Sequence, residues 1–525
     1  MIIRMAAVLA AAAATVLCGR TALLYYQLES YQIDGYFRTL QRNWLRALLP
    51  GLLVSALSCA AMVFLLNADF SDERILSGFA FMAVFAGIAW FIQSRMPAKK
   101  PLKFTARVKR LIAAFALCVF LLFFLWMRVS GMLPLLLLFP VFSMLLLAVA
   151  ALLMLPVEKG INSLYLRDAM KRLGAMPDLM KIGITGSYGK TSTKFMLDTI
   201  LRERFNVLTT PGSFNTSMGV TKIIREKLLP GHQVFIAEMG ARHRGDIRLL
   251  CRLVRPKFGI ITSVGPQHLE TFHTQETIVE EKFDLARAIP PDGAMVFPAD
   301  GGLAEALYDR YDGPKHLAGV KAKGAGLSAK NIEAGPWGSR FVLTDGEEEI
   351  FCETRVLGAI NIANLLLACT MARLLSMDLQ SIARGVSKVK PVEHRLELLQ
   401  RAGGVTVIDD AFNANPAGAN AALTVLKSFP GRRIIVTPGF VELGEKEAEY
   451  NRAFGEYMAE CVDIAILVGK KHTEPIAGGL LSKGFDREKL HAVTSLAESS
   501  AYLATVLQAG DVVLYENDLP DNYQE

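Results

Sequence analysis

The chain has 525 residues, which predicts about three domains and excludes a single small one. Hydrophobic residues make up 52% of it and the mean hydropathy is +0.32; the excess lies before residue 158, which argues against a wholly soluble protein. The net charge of +7 is modest, and its basic residues flank apolar runs, which indicates membrane topology rather than nucleic-acid binding. Seven scattered cysteines without a Cys-x-x-Cys pair predict neither a zinc ribbon nor a disulfide framework.

Residues 1–157 are predicted to form a transmembrane region with about five helices. The apolar stretches are 5–18, 48–67, 75–91, 111–127 and 132–155. The first follows Arg4 and has the form of a signal peptide, but the four further spans favour an uncleaved anchor. Basic loops at 20–46 and 95–110 belong in the cytoplasm by the positive-inside rule. The N-terminus is then outside, and the rest of the chain lies on the cytoplasmic side of a bacterial inner membrane.

The centres of these stretches carry almost no ionisable residues. A transporter or proton relay usually needs them, so a multi-pass anchor is favoured over transport. Apolar residues at helical spacing between Glu158 and Leu173 then predict an amphipathic linker over 158–179.

A glycine-rich turn follows a short apolar strand and opens a helix. Its residues are Gly186, Ser187, Gly189, Lys190, Thr191 and Ser192. Backbone N–H groups at such a turn converge on phosphate oxygens. The lysine reaches the outer phosphates, and the threonine hydroxyl reaches Mg²⁺. The spacing of the glycines is shorter than in the common phosphate loop, but the order of strand, turn and helix predicts an ATP site.

Residues 180–389 alternate strand-like and helical stretches, which predicts a mainly parallel sheet covered on both faces. The ligand site of such a sheet lies at the carboxyl ends of its strands. Glu238 and His268 follow two of these strands, and Lys282 lies on a later helix. Taken alone, each has an ordinary explanation as a helix cap, a structural histidine or a surface lysine.

Four segments in order along the chain carry a specific pattern. They are Thr210-Pro-Gly-Ser-Phe-Asn-Thr-Ser-Met-Gly, Ala237-Glu-Met-Gly-Ala-Arg-His-Arg-Gly-Asp, Gly265-Pro-Gln-His-Leu-Glu and Asp409-Asp-Ala-Phe-Asn-Ala-Asn-Pro. Together they resemble the Mur ligase family. Taken with the apolar runs, which predict an N-terminal α-helical transmembrane region, the resemblance implies a multi-domain fold in which two α/β domains follow that region. These would be a central P-loop ATPase domain over 180–389 and a C-terminal Rossmann-like domain over 390–525.

The resemblance also implies roles for individual residues. ATP would be held by the glycine-rich turn together with Asn361, Asn364 and Arg395. Mg²⁺, at two sites, would be held by Thr191, Glu238, His268 and Lys282, the last in carbamylated form. Catalysis would rest on Lys190, Lys282, His268, Asp409 and Asp410, and substrate contacts on Asn215, Thr216, Arg242, Asn413 and Asn415. Carbamylation turns a lysine into an anion, which can lie beside Mg²⁺ where an ammonium would be repelled.

The chain departs from the family pattern in several places. Ile360 stands where a histidine is usual, and Phe412 stands where a tyrosine is usual. The usual Lys-Gly-Ser near the end is replaced by residues that follow Leu514. The membrane region stands in place of the small domain that grips the UDP part of the substrate. We therefore expect a carboxylate substrate presented at the membrane, and the identity of the amine stays open.

These features predict a membrane-anchored, ATP-dependent ligase that joins a carboxylate to an amine through an acyl phosphate, in peptidoglycan or cell-envelope precursor synthesis. The carboxylate is expected to be lipid-linked or a muramyl-peptide, with a membrane protein as an alternative donor partner. The amine is expected to be an amino acid or a dipeptide, and nucleic acid is not expected as a partner. Three alternatives remain open: a poly-γ-glutamate-type polymerising ligase, the synthetase subunit of an amidotransferase, and a P-loop transport ATPase.

Overall fold

A computed structural model describes residues 2–65, 72–96, 100–129, 133–266, 269–320, 326–335, 337–400, 402–412, 415–441 and 443–518. The chain divides into two compact units, Met1–Ser163 and Leu164–Leu519.

The first unit is helical. Its elements are α1 (Ile2–Cys18), α2 (Arg20–Leu28), α3 (Ile33–Arg42), α4 (Trp44–Leu65), α5 (Asp72–Arg95), α6 (Ala106–Val129), a 3-10 helix (Leu133–Phe142) and α7 (Ser143–Gly174). Four segments are long and apolar enough to cross a membrane: Trp44–Phe64, Leu76–Arg95, Ala106–Trp126 and Leu135–Gly174. A fifth is added if α1 and α2, which meet at a 43° bend, form one broken span.

A buried carboxylate ties the start of α6 to α7. Glu158 accepts two hydrogen bonds from the guanidinium of Arg110, at 2.7 and 2.9 Å, and lies 3.6 Å from the guanidinium of Arg107. A bidentate arginine–carboxylate pair of this kind fixes the geometry of both side chains. Because α7 runs unbroken to Gly174, the predicted linker over 158–179 begins inside this helix.

The second unit begins with a six-stranded, wholly parallel sheet in the order β2-β3-β1-β4-β5-β6. Its strands are β1 (Met180–Thr185), β2 (Val207–Thr209), β3 (Val234–Glu238), β4 (Phe258–Ile261), β5 (Ala294–Pro298) and β6 (Lys315–Ala318). Apolar side chains pack on both faces of the sheet, which explains why its central strands are continuous apolar runs. The strand order reverses beside β1, and this switch point is where a parallel sheet opens a ligand crevice.

Helices cover both faces of this sheet. They are α8 (Lys190–Leu201), α9 (Ser217–Lys227), α10 (Asp246–Val254), α11 (Leu269–Phe272), α12 (Gln275–Ala288), α13 (Leu303–Asp309), α14 (Ala359–Leu374) and α15 (Leu379–Lys388). A small antiparallel sheet of β7 (Ser328–Gly335), β8 (Gly338–Thr344) and β9 (Glu349–Thr354) precedes α14. The sequence patterns do not predict this sheet, because its strands alternate charged and apolar residues only weakly.

A second six-stranded sheet follows, in the order β10-β11-β15-β12-β13-β14, with only β10 antiparallel. Its strands are β10 (Glu397–Gln400), β11 (Thr406–Asp410), β12 (Arg433–Thr437), β13 (Ile464–Val468), β14 (Leu490–Val493) and β15 (Val512–Glu516). The helices are α16 (Pro416–Lys427), α17 (Glu447–Met458), α18 (Glu474–Ser482) and α19 (Leu496–Val506), with 3-10 turns at Ala402–Gly404, Gly444–Lys446 and Arg487–Lys489. The predicted helical N-terminal region and two α/β domains are thus confirmed.

Candidate nucleotide and metal site

The glycine-rich turn lies between β1 and α8, at the switch point of the central sheet. Gly186 and Gly189 have φ of +148° and +80°, conformations that favour glycine. A Cβ at Gly189 would lie 2.3 Å from the Asn364 side-chain oxygen, and one at Gly186 would lie 2.0 Å from the Thr262 hydroxyl. Both glycines are therefore required by backbone shape and by the close approach of neighbours.

The turn is fastened to the segment after β4. The Ser187 hydroxyl donates to the Gly265 carbonyl at 2.9 Å and accepts from the Gly265 N–H at 3.1 Å. The Ser187 N–H donates to the Ser263 carbonyl at 2.7 Å, and the Tyr188 hydroxyl donates to the Pro266 carbonyl. The segment that leads to His268 is thus part of the support of the phosphate loop.

Lys190 folds back over this turn. Its ammonium donates to the carbonyls of Gly186 and Ser187, at 2.6 and 2.9 Å. Burial, helped by the nearby Lys282 and Arg395 cations and opposed by Glu238, lowers its pKa to about 7. Phosphate oxygens would supply the anionic hydrogen-bond partners that the Lys190 ammonium does not have among the described residues.

Glu238, at the end of β3, accepts hydrogen bonds from three polar side chains around the turn. Its carboxylate accepts from the Thr191 hydroxyl at 3.1 Å, the Lys194 ammonium at 2.9 Å and the Asn215 amide at 3.1 Å. Glu238 and Lys194 are 1% and 0% exposed, so this is a fully buried ion pair. The Lys194 ammonium also donates to the Gly212 carbonyl, which links the loop before α9 to the same carboxylate.

Lys282 is buried on α12 with 2% of its surface exposed. Burial lowers its pKa to about 8, and Glu281 and Asp246 partly oppose the shift. Among the described residues, the structure records no hydrogen bond to its ammonium. The neighbouring Glu281 instead accepts from the N–H groups of Gly245 and Ile247 at the start of α10, at 2.7 and 2.8 Å.

The C-terminal domain contributes an arginine to the phosphate loop. Arg395 lies 3.5 Å from the Thr191 hydroxyl and 4.7 Å over the ring of Phe412. The preceding His394 is held by Asp409, with 2.8 Å between Nδ1 and the carboxylate. Asp410 accepts from the Leu396 N–H at 3.0 Å. The two aspartates therefore support the turn that carries Arg395.

Several predicted residues have other contacts. The Thr216 and Asn415 side chains cap α9 and α16, and the Asn361 amide donates to the Leu357 carbonyl at 3.0 Å. Arg242 is exposed, and its N–H donates to Asp246 at 2.9 Å. Ser192 is buried beside the turn. His268 and Asn413 lie outside the described residues. The substrate roles of Asn215, Thr216, Arg242, Asn413 and Asn415 stay predictions.

Three groups at the site escaped the sequence reasoning. Lys194 lies one helical turn after Lys190, a spacing that puts both on one face of α8. Glu281 directly precedes Lys282. Glu516 ends β15 directly beside Asp410 of β11. A carboxylate at the carboxyl end of a parallel strand is a sequence signal for a residue near the ligand site.

The oxygen donors fit a hard divalent cation. The Glu238 carboxylate and the Thr191 hydroxyl lie side by side at the phosphate loop, and oxygen ligands are the ones that Mg²⁺ takes. Among the described residues no group of three or more histidine, cysteine, aspartate or glutamate side chains could hold a metal. Phosphate oxygens of a bound nucleotide could complete the coordination of a magnesium ion beside this carboxylate and hydroxyl.

A phosphate loop at a sheet switch point, a carboxylate beside its threonine and an arginine from a second α/β domain define a two-domain nucleotide-dependent enzyme. The family models for the Mur ligase middle domain and for the Mur ligase glutamate ligase domain match residues 184–372 and 394–515.

A UDP-N-acetylmuramoyl-tripeptide–D-alanyl-D-alanine ligase of Mycobacterium tuberculosis is 30% identical over 363 residues, 63% of this chain and 69% of that protein. The crystal structure of MurF from Acinetobacter baumannii has a TM-score of 0.62 at 27% identity, over 69% of this chain and 78% of that one. MurF of Thermotoga maritima in complex with ADP has a TM-score of 0.61 at 24% identity, over 68% of this chain and 80% of that one. The chain belongs to the Mur ligase family, and it is an ADP-forming acid–amino-acid ligase.

Proposed function

We propose that this protein is a membrane-anchored, ATP-dependent ligase that joins a carboxylate to an amine in peptidoglycan precursor synthesis. The observation that carries the proposal is the convergence of Lys190, Thr191 and Glu238 with Arg395 at one phosphate loop. The Mycobacterium tuberculosis relative is named for a UDP-N-acetylmuramoyl-tripeptide and D-alanyl-D-alanine, and these are our first candidates for the carboxylate and the amine.

The chemistry follows from the charges at the loop. A substrate carboxylate attacks the γ-phosphorus of ATP, ADP leaves, and an acyl phosphate forms. The amine then attacks the acyl carbon, loses a proton and expels inorganic phosphate. Lys190 and Arg395 would neutralise charge on the phosphates, which is the main requirement of phosphoryl transfer. Magnesium held by Thr191 and Glu238, with His268 and Lys282 at a second site, would add a Lewis acid beside the same oxygens.

The state of Lys282 supports carbamylation. Only a neutral amine reacts with CO₂, and the product is a carbamate anion and a released proton. An ordinary lysine is neutral only far above physiological pH, whereas Lys282 has a pKa of about 8. No hydrogen bond among the described residues occupies its nitrogen, so carbamylation would break no such contact.

The membrane part of the proposal rests on the first unit. Its apolar helices expose large side chains such as Val63, Phe64 and Leu153, at 71, 80 and 62%. Side chains of this kind suit a lipid surface better than water. Arg107 and Arg110, paired with Glu158, lie in the basic stretch that the positive-inside rule puts in the cytoplasm. The carboxylate substrate would then be lipid-linked, or delivered by a membrane partner protein.

The test is product analysis with the full chain in detergent. The protein receives ATP, Mg²⁺, a UDP- or lipid-linked muramoyl-tripeptide and one amine at a time: ammonia, single amino acids, or D-alanyl-D-alanine. Amine-dependent ADP release with one added amine in the product mass supports the proposal. Repeated addition would instead identify a polymerising ligase. Acceptance of ammonia alone would identify an amidotransferase subunit, and ATP turnover without any amine would point to a transport ATPase.

A further inference from the structure

Two carboxyl groups stand side by side at the carboxyl ends of neighbouring strands. Asp410 of β11 is in parallel register with Glu516 of β15, as the last pair of that ladder. Glu516 is fully buried, with 0% of its surface exposed. In the described part of the chain, no N–H group or hydroxyl donates a hydrogen bond to its carboxyl oxygens, and its side-chain partner is Asp410.

Such a pair cannot carry two negative charges. Burial removes the water that would stabilise an ionised carboxylate, and a second carboxylate at the same place repels it. The pair must therefore retain a proton at neutral pH. Burial and the neighbouring Asp410 raise the pKa of Glu516 well above its usual range. Burial raises the pKa of Asp410 to about 6, although the Leu396 N–H and the Arg395 cation oppose that shift.

Asp410 in turn holds a strained turn. His394 and Leu396 have φ of +60° and +49°, values that non-glycine residues adopt only with backbone strain. Arg395 lies between them and points to Thr191. The Leu396 N–H donates to Asp410, and the Phe412 N–H donates to the His394 carbonyl at 3.1 Å. The strained residues thus flank Arg395, the residue that reaches the phosphate loop.

We propose that Glu516 is a positioning residue: it shares one proton with Asp410 and thereby fixes the turn that presents Arg395 to the nucleotide. Loss of this proton would leave two adjacent buried anions. Asp410 would be pushed from the Leu396 N–H, and Arg395 would be drawn towards the pair and away from Thr191. The other charged groups that the structure records around the turn are Glu238, Glu393, His394, Glu397 and Asp409.

The test measures binding of a fluorescent ATP analogue with Mg²⁺ to the full chain in detergent, from about pH 6 to about pH 9. Binding does not depend on the identity of the carboxylate or the amine, so it separates this proposal from the proposed function. We expect wild-type affinity to fall about tenfold as the pH rises. Glu516→Gln keeps a neutral donor at every pH, so its affinity should fall less than that of the wild type over this range, and the fall that remains is the one caused by deprotonation of Lys190.

Two results would overturn the proposal: identical pH curves for both proteins, or weak binding by folded Glu516→Gln at every pH. Infrared spectroscopy supplies a measurement that does not depend on binding. The wild type at neutral pH should show a protonated-carboxyl band that Glu516→Gln lacks and that the exposed control Glu498→Gln retains. A spectrum without such a band in the wild type contradicts the shared proton.

Thermal stability should depend on pH in the same direction as nucleotide affinity, decreasing as the pH rises. A raised pKa means that native Glu516 holds a proton which the unfolded chain has released. The stabilisation is complete below the ordinary glutamate pKa and is lost as the pH rises through the raised one. The wild type should therefore lose thermal stability relative to Glu516→Gln as the pH increases, and a constant difference would contradict the proposal.

Discussion

Two lysines on the first turns of α8 have opposite surroundings. Lys190 faces the open phosphate loop and has only carbonyl partners, whereas Lys194 is sealed against Glu238. Lys190 has no hydrogen-bonded anionic partner among the described residues, whereas the positive charge of Lys194 is compensated by the Glu238 carboxylate. Lys194 therefore belongs to the structure that holds Glu238, while Lys190 has the position that the proposed contact with ATP phosphates requires.

Replacing Lys194 with methionine removes one partner of the buried pair and leaves Glu238 uncompensated. Breaking a buried ion pair costs about 3–5 kcal/mol, so the urea midpoint of unfolding should fall clearly. Lys330→Met is the matched control, since the Lys330–Glu349 pair is exposed and contributes little. Equal midpoints for the two variants would show that the Lys194 pair is not a main support of the site.

Lys282 should accept CO₂ in a pH-dependent way. Its pKa is lowered to about 8. The fraction of Lys282 in the reactive neutral form therefore increases as the pH rises towards that value and levels off above it. With ¹³C-bicarbonate, the NMR signal of a carbamate should increase over this range and be absent from Lys282→Ala. That variant should lose ADP release, with partial recovery on addition of short-chain carboxylic acids. Full activity without them would exclude a role for the carbamate.

At the scale of elements, the strand, turn and helix from Met180 to Leu201 act as one unit with the end of β4. The sequence pattern is sufficient to place the turn, because glycines, lysine and threonine each have a distinct job there. The pattern does not reveal that the Asn364 side chain of α14 packs against Gly189 of the turn, because that contact joins residues far apart in the chain.

Gly189→Ala tests this unit. The new methyl group would meet the Asn364 oxygen at 2.3 Å and a backbone with φ of +80°. Nucleotide affinity should fall by at least about tenfold, or about 1.4 kcal/mol, in a fluorescent-ATP titration. Gly212→Ala is the control: its φ is also positive, at +49°, but the space around it is open. If both variants bound alike, backbone strain rather than the Asn364 contact would explain the effect.

At the scale of the whole molecule, the sequence predicts a helical N-terminal region and two α/β domains because apolar runs and strand–helix alternation are local signals. Family motifs add Glu238, Lys282 and Arg395, which the structure brings to one loop or its surroundings. The sequence does not predict β7–β9, or the pairing of Asp410 with Glu516, because strand order is a long-range property. The sequence does not predict the short helices α2 and α3 either, because their polar residues make them look like a loop between two apolar runs.

Fusion reporters test the membrane topology. With basic segments inside, a C-terminal green fluorescent protein should fluoresce, and a reporter that works only outside the inner membrane should be inactive there. The same pair at the N-terminus distinguishes five spans from four: an external N-terminus fits a spanning α1–α2 pair. An active external reporter at the C-terminus would place the nucleotide site away from ATP and contradict the proposed function.

The fastening of Ser187 to Gly265 has a thermodynamic consequence. A ligand that tightens the phosphate loop must also restrict the segment that leads to His268, and a ligand at that segment must restrict the loop. Coupling of two binding equilibria is reciprocal: whatever factor ATP adds to the affinity of the second ligand, that ligand adds to the affinity of ATP. An inhibitor that contacts residues 263–266 should therefore change the affinity for ATP by the same factor by which bound ATP changes the affinity for the inhibitor.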